Sequence, residues 1–193
     1  MAIAHHVGLH RMPPILKEFN ERHPKVKLDI RFEDSDKAFM GVEQGDIEFA
    51  VITLPSVLPD KLIKQIIWHD ELKIMVGNEH PLANDEQVDL STLARYPCVL
   101  TSQGTETHQV IYREFEMQGL ELDVQMQTNN LETLKMLTAA GLGWSLLPVT
   151  MYDNSIKALE LGIDFSRNLG LVAHNKRSLS NAAQALRSLI EES

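Results

Sequence analysis

The sequence predicts the α/β class, and three observations carry that prediction. Strand-like and helix-like segments alternate along the 193 residues, with no internal repeat, low-complexity stretch or Gly/Ser linker between them. Phe49-Ala50-Val51-Ile52 is a continuous apolar run, the signature of a strand buried on both faces of a parallel sheet. Several helix-like segments open on a capping residue and close at glycine or before proline.

The elements follow in order. Pro13 and Pro14 suit a first helical turn, and Ile15, Leu16 and Phe19 follow at helical spacing, ending before Pro24. Residues 26–33 alternate apolar and polar side chains, which predicts a half-buried strand. Ser35-Asp36 caps a second helix that runs to Gly45, with Phe39 and Val42 facing inward, and the apolar strand at 49–52 comes next. Residues 62–67 and 72–76 read as two strands, 80–82 as a turn, and 90–94 as a short helix. A strand at 98–101 leads through a loop at 102–105 into a helix marked by Val110, Ile111 and Phe115 and stopped at Gly119. Leu122, Val124 and Met126 alternate as a strand. Asn129 as N-cap, with Glu132 three residues on, opens a helix reaching Gly141. Strands at 144–147 and 169–173 and a last helix capped by Ser180, with Ala183, Leu186 and Ile190 on one face, complete the chain.

Bulk composition removes several function classes. At 44% hydrophobic and 23% charged residues, the chain matches an ordinary soluble globular protein. Its apolar runs are far shorter than the roughly 20 residues that span a bilayer. Residues 1–6 show no basic region followed by an apolar run, so no secretory signal is read there. Cys98 stands alone, which precludes an internal disulfide and fits the reducing cytoplasm expected for this chain. Lys and Arg total 18 against 27 Asp and Glu, and the net charge is −9. Duplex binding needs clustered cations to displace counterions, and here the densest group is Lys176-Arg177, so this chain by itself is not expected to bind DNA.

No catalytic signature is present: no G-x-S-x-G elbow, no phosphate-binding P-loop, no H-E-x-x-H. Gly141-Leu142-Gly143 begins like a dinucleotide fingerprint but leaves a helix and enters a strand, the reverse of what a pyrophosphate site requires. Cys98 lies within an apolar strand, where burial opposes the thiolate. His6 and His10 share a helical face, yet no Cys, Asp or Glu nearby would complete three or four metal ligands, so no metal and no cofactor is expected. What does stand out is three polar mouths where a strand gives way to a helix. His5 and His6 stand at the first. Thr101-Ser102-Gln103-Gly104-Thr105 forms the second, where hydroxyls and glycine suit oxyanion recognition, and Thr128-Asn129-Asn130 forms the third. In parallel sheets, ligands gather at such carboxyl ends of strands.

Five motifs in order carry a resemblance that covers nearly the whole chain. Pro13-Pro14-Ile15-Leu16 through Phe19 with His23-Pro24-Lys25-Val26, then Gly45-Asp46-Ile47-Glu48-Phe49-Ala50-Val51, then His80-Pro81-Leu82-Ala83 match successive signatures of LysR-type effector domains. Ala139-Ala140-Gly141-Leu142-Gly143 with Leu146-Leu147-Pro148, and Leu179-Ser180-Asn181-Ala182-Ala183, resemble the remaining two.

The resemblance implies a type II periplasmic-binding-protein-like fold, two Rossmann-like subdomains joined by two crossover strands. It places subdomain I at 1–72 plus 165–193 and subdomain II at 73–164. It implies an opening strand, represented here only by residues 1–4, and a winged helix-turn-helix that is absent from this chain. A small polar or anionic metabolite would bind in the inter-subdomain cleft, shift the subdomains' relative orientation, and so modulate DNA binding by the regulator. The expected contacts are His5, His6, Thr53, Ser102, Gly104, Thr105, Asn129 and Asn130, with Thr53 on the hinge side. The expected partners are that effector, a homodimer through effector domains with a higher oligomer in the full-length protein, and DNA through the missing domain only. No catalysis and no membrane association are expected. The alternative is a solute-binding receptor of the same fold serving a transporter.

Overall fold

The computed structural model describes residues 1–85 and 87–193. In chain order its elements are β1 (Ala2–Ala4), α1 (His5–His10), α2 (Met12–Arg22), β2 (Arg31–Glu33), α3 (Ser35–Gln44), β3 (Phe49–Thr53) and β4 (Leu62–Gly77). There follow α4 (Leu90–Leu93), β5 (Cys98–Leu100), α5 (Glu106–Met117), β6 (Val124–Gln127), α6 (Leu131–Ala139) and β7 (Ser145–Pro148). β8 (Ile156–Leu159), β9 (Phe165–His174) and α7 (Asn181–Glu191) close the list. The chain divides into two compact units, Met1–His69 with Asn168–Ser193, and Asp70–Arg167. Strands β4 and β9 are the two passages between them.

In unit 1 the strands run in the order β2-β1-β3-β9-β4, with β1 parallel to both its neighbours and β9 antiparallel to β3. The opening strand, though only three residues long, is fully buried and central. The four residues of the predicted apolar run are buried in β3, and Thr53 at its end is buried with them. The helices bury one stripe each: Met12, Ile15 and Phe19 on α2, Ala183, Leu186, Leu189 and Ile190 on α7. Ser180 caps α7 by accepting from the Ala183 N–H at 3.3 Å, and is itself held by the Glu48 carboxylate, which accepts from its N–H at 2.6 Å.

Three expectations for unit 1 are corrected. The strand foreseen at 26–33 shortens to Arg31–Glu33, because its ladder partner β1 pairs only Ala2, Ile3 and Ala4 with it, and Val26 and Leu28 stay exposed. Alternation creates a face; only a neighbour makes a strand. Residues 62–67 and 72–76 are one strand of 16 residues, since the stretch Trp68-His69-Asp70-Glu71 continues the extended backbone out of one unit and into the other. Finally, Asp34 rather than Ser35 occupies the N-cap of α3, and Ser35 begins the helix.

In unit 2, β4 is flanked by β7 and β8, both antiparallel to it. β7 meets β5 through a parallel Cys98–Trp144 bridge, and β5 pairs in parallel with β6. Among the described residues, two apolar clusters lie in this unit. One gathers Leu93, Ile111, Phe115 and Trp144; the other gathers Met75, Val99, Leu134 and Leu147. Trp144 stacks on Phe115 at 5.7 Å and shares its indole N–H between the Leu93 and Tyr96 carbonyls, 3.2 Å each. Its polar edge is thereby satisfied inside an apolar cluster.

Candidate functional site

Parallel pairing of β5 with β6 sets two strand-to-helix junctions of unit 2 side by side. The first runs from β5 through Thr101–Thr105 into α5, the second from β6 through Thr128–Asn130 into α6. They are tied together. The Ser102 N–H donates to Asn129 Oδ1 at 3.0 Å, and the Thr128 N–H donates to the Leu100 carbonyl at 3.0 Å.

Proton accounting assigns roles to the side chains. Thr105 Oγ1 donates to the Ser102 carbonyl at 2.9 Å and accepts from the His108 N–H at 3.2 Å, which makes it the N-cap of α5. Its single proton is then committed, so in the 2.8 Å contact between the two hydroxyls Thr101 donates and Thr105 accepts. With one donor and two acceptor bonds filled, the Thr105 hydroxyl shapes the loop and has no capacity left for a guest. Gly104 is exposed at φ +95, and a Cβ there would meet nothing within 4 Å. Backbone conformation, not crowding, calls for glycine at this position. The carbonyl of Thr101 only accepts, so the 3.1 Å contact to His108 Nδ1 fixes the proton on that nitrogen. Burial holds the His108 pKa below its ordinary value, while the hydrogen bond to Thr101 opposes this.

At the second junction the cap is Asn130 rather than Asn129: its Oδ1 accepts from the Thr133 N–H at 2.8 Å. The expected capping role therefore moves one residue along, and Asn129 is left to reach across to Ser102. Three residues apart, Asn130 and Thr133 fit the capping geometry that Asn129 and Glu132 seemed to offer by sequence alone.

Beneath α5 lies a buried ion pair. Arg167 Nε donates to Asp70 Oδ2 at 2.9 Å, its Nη2 lies 2.9 Å from the same oxygen, and its Nη1 donates to Thr107 Oγ1 at 2.6 Å. Both charged side chains are 3% exposed. Burial pulls the Arg167 pKa down and the Asp70 carboxylate opposes it. Sequence reasoning passed over Asp70, Thr107, His108 and Arg167. One signal was available: Phe165, Arg167 and Leu169 share one face of β9, so the arginine stands among inward positions.

The unit 1 candidates lie at the carboxyl ends of two neighbouring parallel strands, β1 and β3. His5, exposed, and His6, half-buried, form the first turn of α1, which follows β1 without a loop. The helix expected to start at Pro13 is preceded by this six-residue one, broken at Arg11. Thr53 ends β3, nearly buried, and its N–H donates to Ser35 Oγ at 3.3 Å. Among the described residues, no group of three His, Cys, Asp or Glu side chains is placed to hold a metal ion. Among the described residues, no helix is long and apolar enough to cross a membrane.

Two α/β units linked by two strands define the architecture, and comparison with known proteins gives the family. The family model described as the LysR substrate binding domain matches residues 1–193, and the chain belongs to that family. It is 23% identical, over 98% of its length, to the uncharacterized HTH-type transcriptional regulator YybE of Bacillus subtilis (strain 168). The chain spans between 48% and 66% of the first curated relatives it matches. Its fold is that of the effector binding domain of QuiR in complex with shikimate, with a TM-score of 0.87 at 16% identity, covering 99% of this chain and 93% of that one. The Synechocystis PCC6803 CcmR regulatory domain in complex with 2-PG gives 0.85 at 16% identity, covering 99% and 94%. At that identity the likeness concerns the fold alone.

Proposed function

We propose that this chain is the effector-sensing part of a LysR-type transcriptional regulator and that it holds a small polar or anionic molecule without transforming it. The observation that carries this reading is the pair of joined mouths in unit 2. The Thr105 hydroxyl and the Asn129 and Asn130 amide oxygens fix loop shape, and the positive end of a 12-residue helix opens onto that loop. Preorganised backbone N–H groups beside a helix terminus favour an anion or a polar oxygen. An acid–base reaction needs titratable groups in reach of a guest, and here the one histidine is buried and bonded to a backbone carbonyl.

Ser102, Gly104, Asn129 and Asn130 are proposed as contacts in unit 2, with Thr105 as the residue that shapes their loop. His5, His6 and Thr53 are the proposed contacts in unit 1. In the whole regulator, DNA is reached through a winged helix-turn-helix and effector domains pair as homodimers; both belong to the proposal, as does a cytoplasmic location.

Calorimetric titration tests it, with shikimate and 2-PG as first probes and then a panel of small carboxylates and phosphate esters. For a compound that binds, Ser102→Ala and Asn129→Ala should each weaken affinity about threefold to tenfold, the worth of one neutral hydrogen bond. Affinity unchanged in both variants removes these contacts. No heat with any member of the panel argues against a polar or anionic guest.

A further inference from the structure

We propose that Arg167 is the positioning residue of the effector mouth: through Thr107 it holds the first turn of α5 against both strands that carry the chain into and out of unit 2. The inference rests on reading that turn as part of the effector site, and its test is chosen to stand apart from effector binding.

The geometry is a three-way junction. Asp70 belongs to β4, Arg167 to β9 and Thr107 to the first turn of α5, and the guanidinium joins all three through Nε, Nη2 and Nη1. Asp70 is the first residue of unit 2 and Arg167 the last, so both covalent passages of the unit meet at this pair. A buried ion pair gives little net stability over well-packed apolar side chains, because desolvation offsets the attraction. What it supplies is direction. A guanidinium fork accepts partners only along fixed N–H vectors, so it dictates where the Thr107 hydroxyl sits.

Thr107 lies next to the residue that bonds the loop. His108 donates its backbone N–H to Thr105 and its ring N–H to the Thr101 carbonyl. The first turn of α5 is thus pinned toward β5 by His108 and toward β4 and β9 by Thr107. Any shift of that turn moves Thr105, and with it the Ser102 carbonyl that Thr105 holds. A guest pulling on the mouth accordingly loads the Arg167 pair and, through it, both connecting strands. Coupling of this kind is reciprocal, so the state of those strands sets the shape of the mouth.

Amide hydrogen exchange on the ligand-free protein tests this. Thr107→Val keeps the shape of the side chain and the Arg167–Asp70 pair but removes the hydroxyl, whereas Thr107→Ser keeps the hydroxyl. In T107V the amides of Ser102, Thr105, His108 and Gln109 should exchange about tenfold faster relative to those of Leu134 and Leu137 in α6, which report the stability of the unit. T107S should match the parent. Should T107V not fold, Arg167→Lys is read the same way, since it keeps the charge and loses the fork; it should show the same selective acceleration. Equal acceleration in both sets of amides, or none, would overturn the proposal and leave the pair a purely structural element. No ligand enters the measurement, so its failure is distinguishable from a failure of the calorimetric test.

Discussion

At the scale of single residues, burial decides what each reactive group can do. Cys98 is fully buried, its Sγ lies 3.4 Å from the Asp123 carbonyl, and burial with the nearby Asp123 charge pushes its thiol pKa up to about 12. At pH 8 only about one molecule in ten thousand would carry the thiolate. Native protein should therefore stay unmodified by Ellman's reagent at pH 8 while guanidinium-unfolded protein reacts fully. Rapid stoichiometric release from the folded chain would contradict this. Asp153, on the exposed surface, is shifted the other way: the Lys135 ammonium, with Ser155, holds it well below the usual carboxylate range. Surroundings thus shift the Cys98 thiol and the Asp153 carboxyl in opposite directions, and for Cys98 that was legible from its apolar neighbours in sequence. It was not legible for Asp70, whose partner Arg167 is 97 residues away.

At the scale of elements, the turn from α6 to β7 shows how one motif hides two requirements. Gly141 sits at φ +80 with open space where a Cβ would go, while Gly143 sits at φ +157 with that position 2.7 Å from the Pro97 carbonyl oxygen and 3.0 Å from Cys98 Cα. The first glycine answers to backbone conformation alone. The second also lets two backbones approach, so that Trp144 can donate to Pro97 at 3.1 Å and dock β7 beside β5. Gly141→Ala should cost about 1–2 kcal/mol for the left-handed conformation. Gly143→Ala should cost roughly 1–3 kcal/mol more, because backbone atoms cannot step aside. Urea midpoints of the two variants check the ordering, and equal midpoints would show that the close approach is not limiting. Reading the pair as a helix-to-strand turn rather than a nucleotide fingerprint needed only the order of the flanking elements.

At the scale of the whole molecule, His80 and His108 make stability depend on pH. Burial lowers both pKa values below the ordinary 6.5, so the folded state prefers the neutral rings. The unfolded chain binds these protons more readily. The contribution is complete above about pH 6.5 and is lost as pH falls through the folded values. Urea midpoints measured at pH 7.5 and 5 should fall, and His108→Gln should flatten the dependence. A parent protein equally stable at both values would show that neither ring is held neutral. A net charge of −9 adds self-repulsion that carboxylates in this window barely relieve, since they remain ionised.

By itself the sequence determined what local chemistry can determine. The α/β class, the buried run Phe49–Ile52 of β3, the cap at Ser180, the strand-to-helix mouths at 101–105 and 128–130, and the resemblance to the family all follow from periodicity, capping and ordered motifs along the chain. Tertiary structure decided what depends on partners distant in sequence. It set the length of β2, because β1 offers only three residues to pair with. It joined 62–67 and 72–76 into one strand, because the extended backbone runs on through residues 68–71 from one unit into the other. It gave the capping role to Asn130 and freed Asn129 to bond Ser102, and it brought Asp70, Thr107 and Arg167 together beneath α5. The reason is physical. Propensity and periodicity act over a turn or a pleat, whereas a buried charge or a ladder hydrogen bond is settled by whichever group the fold brings within 3 Å.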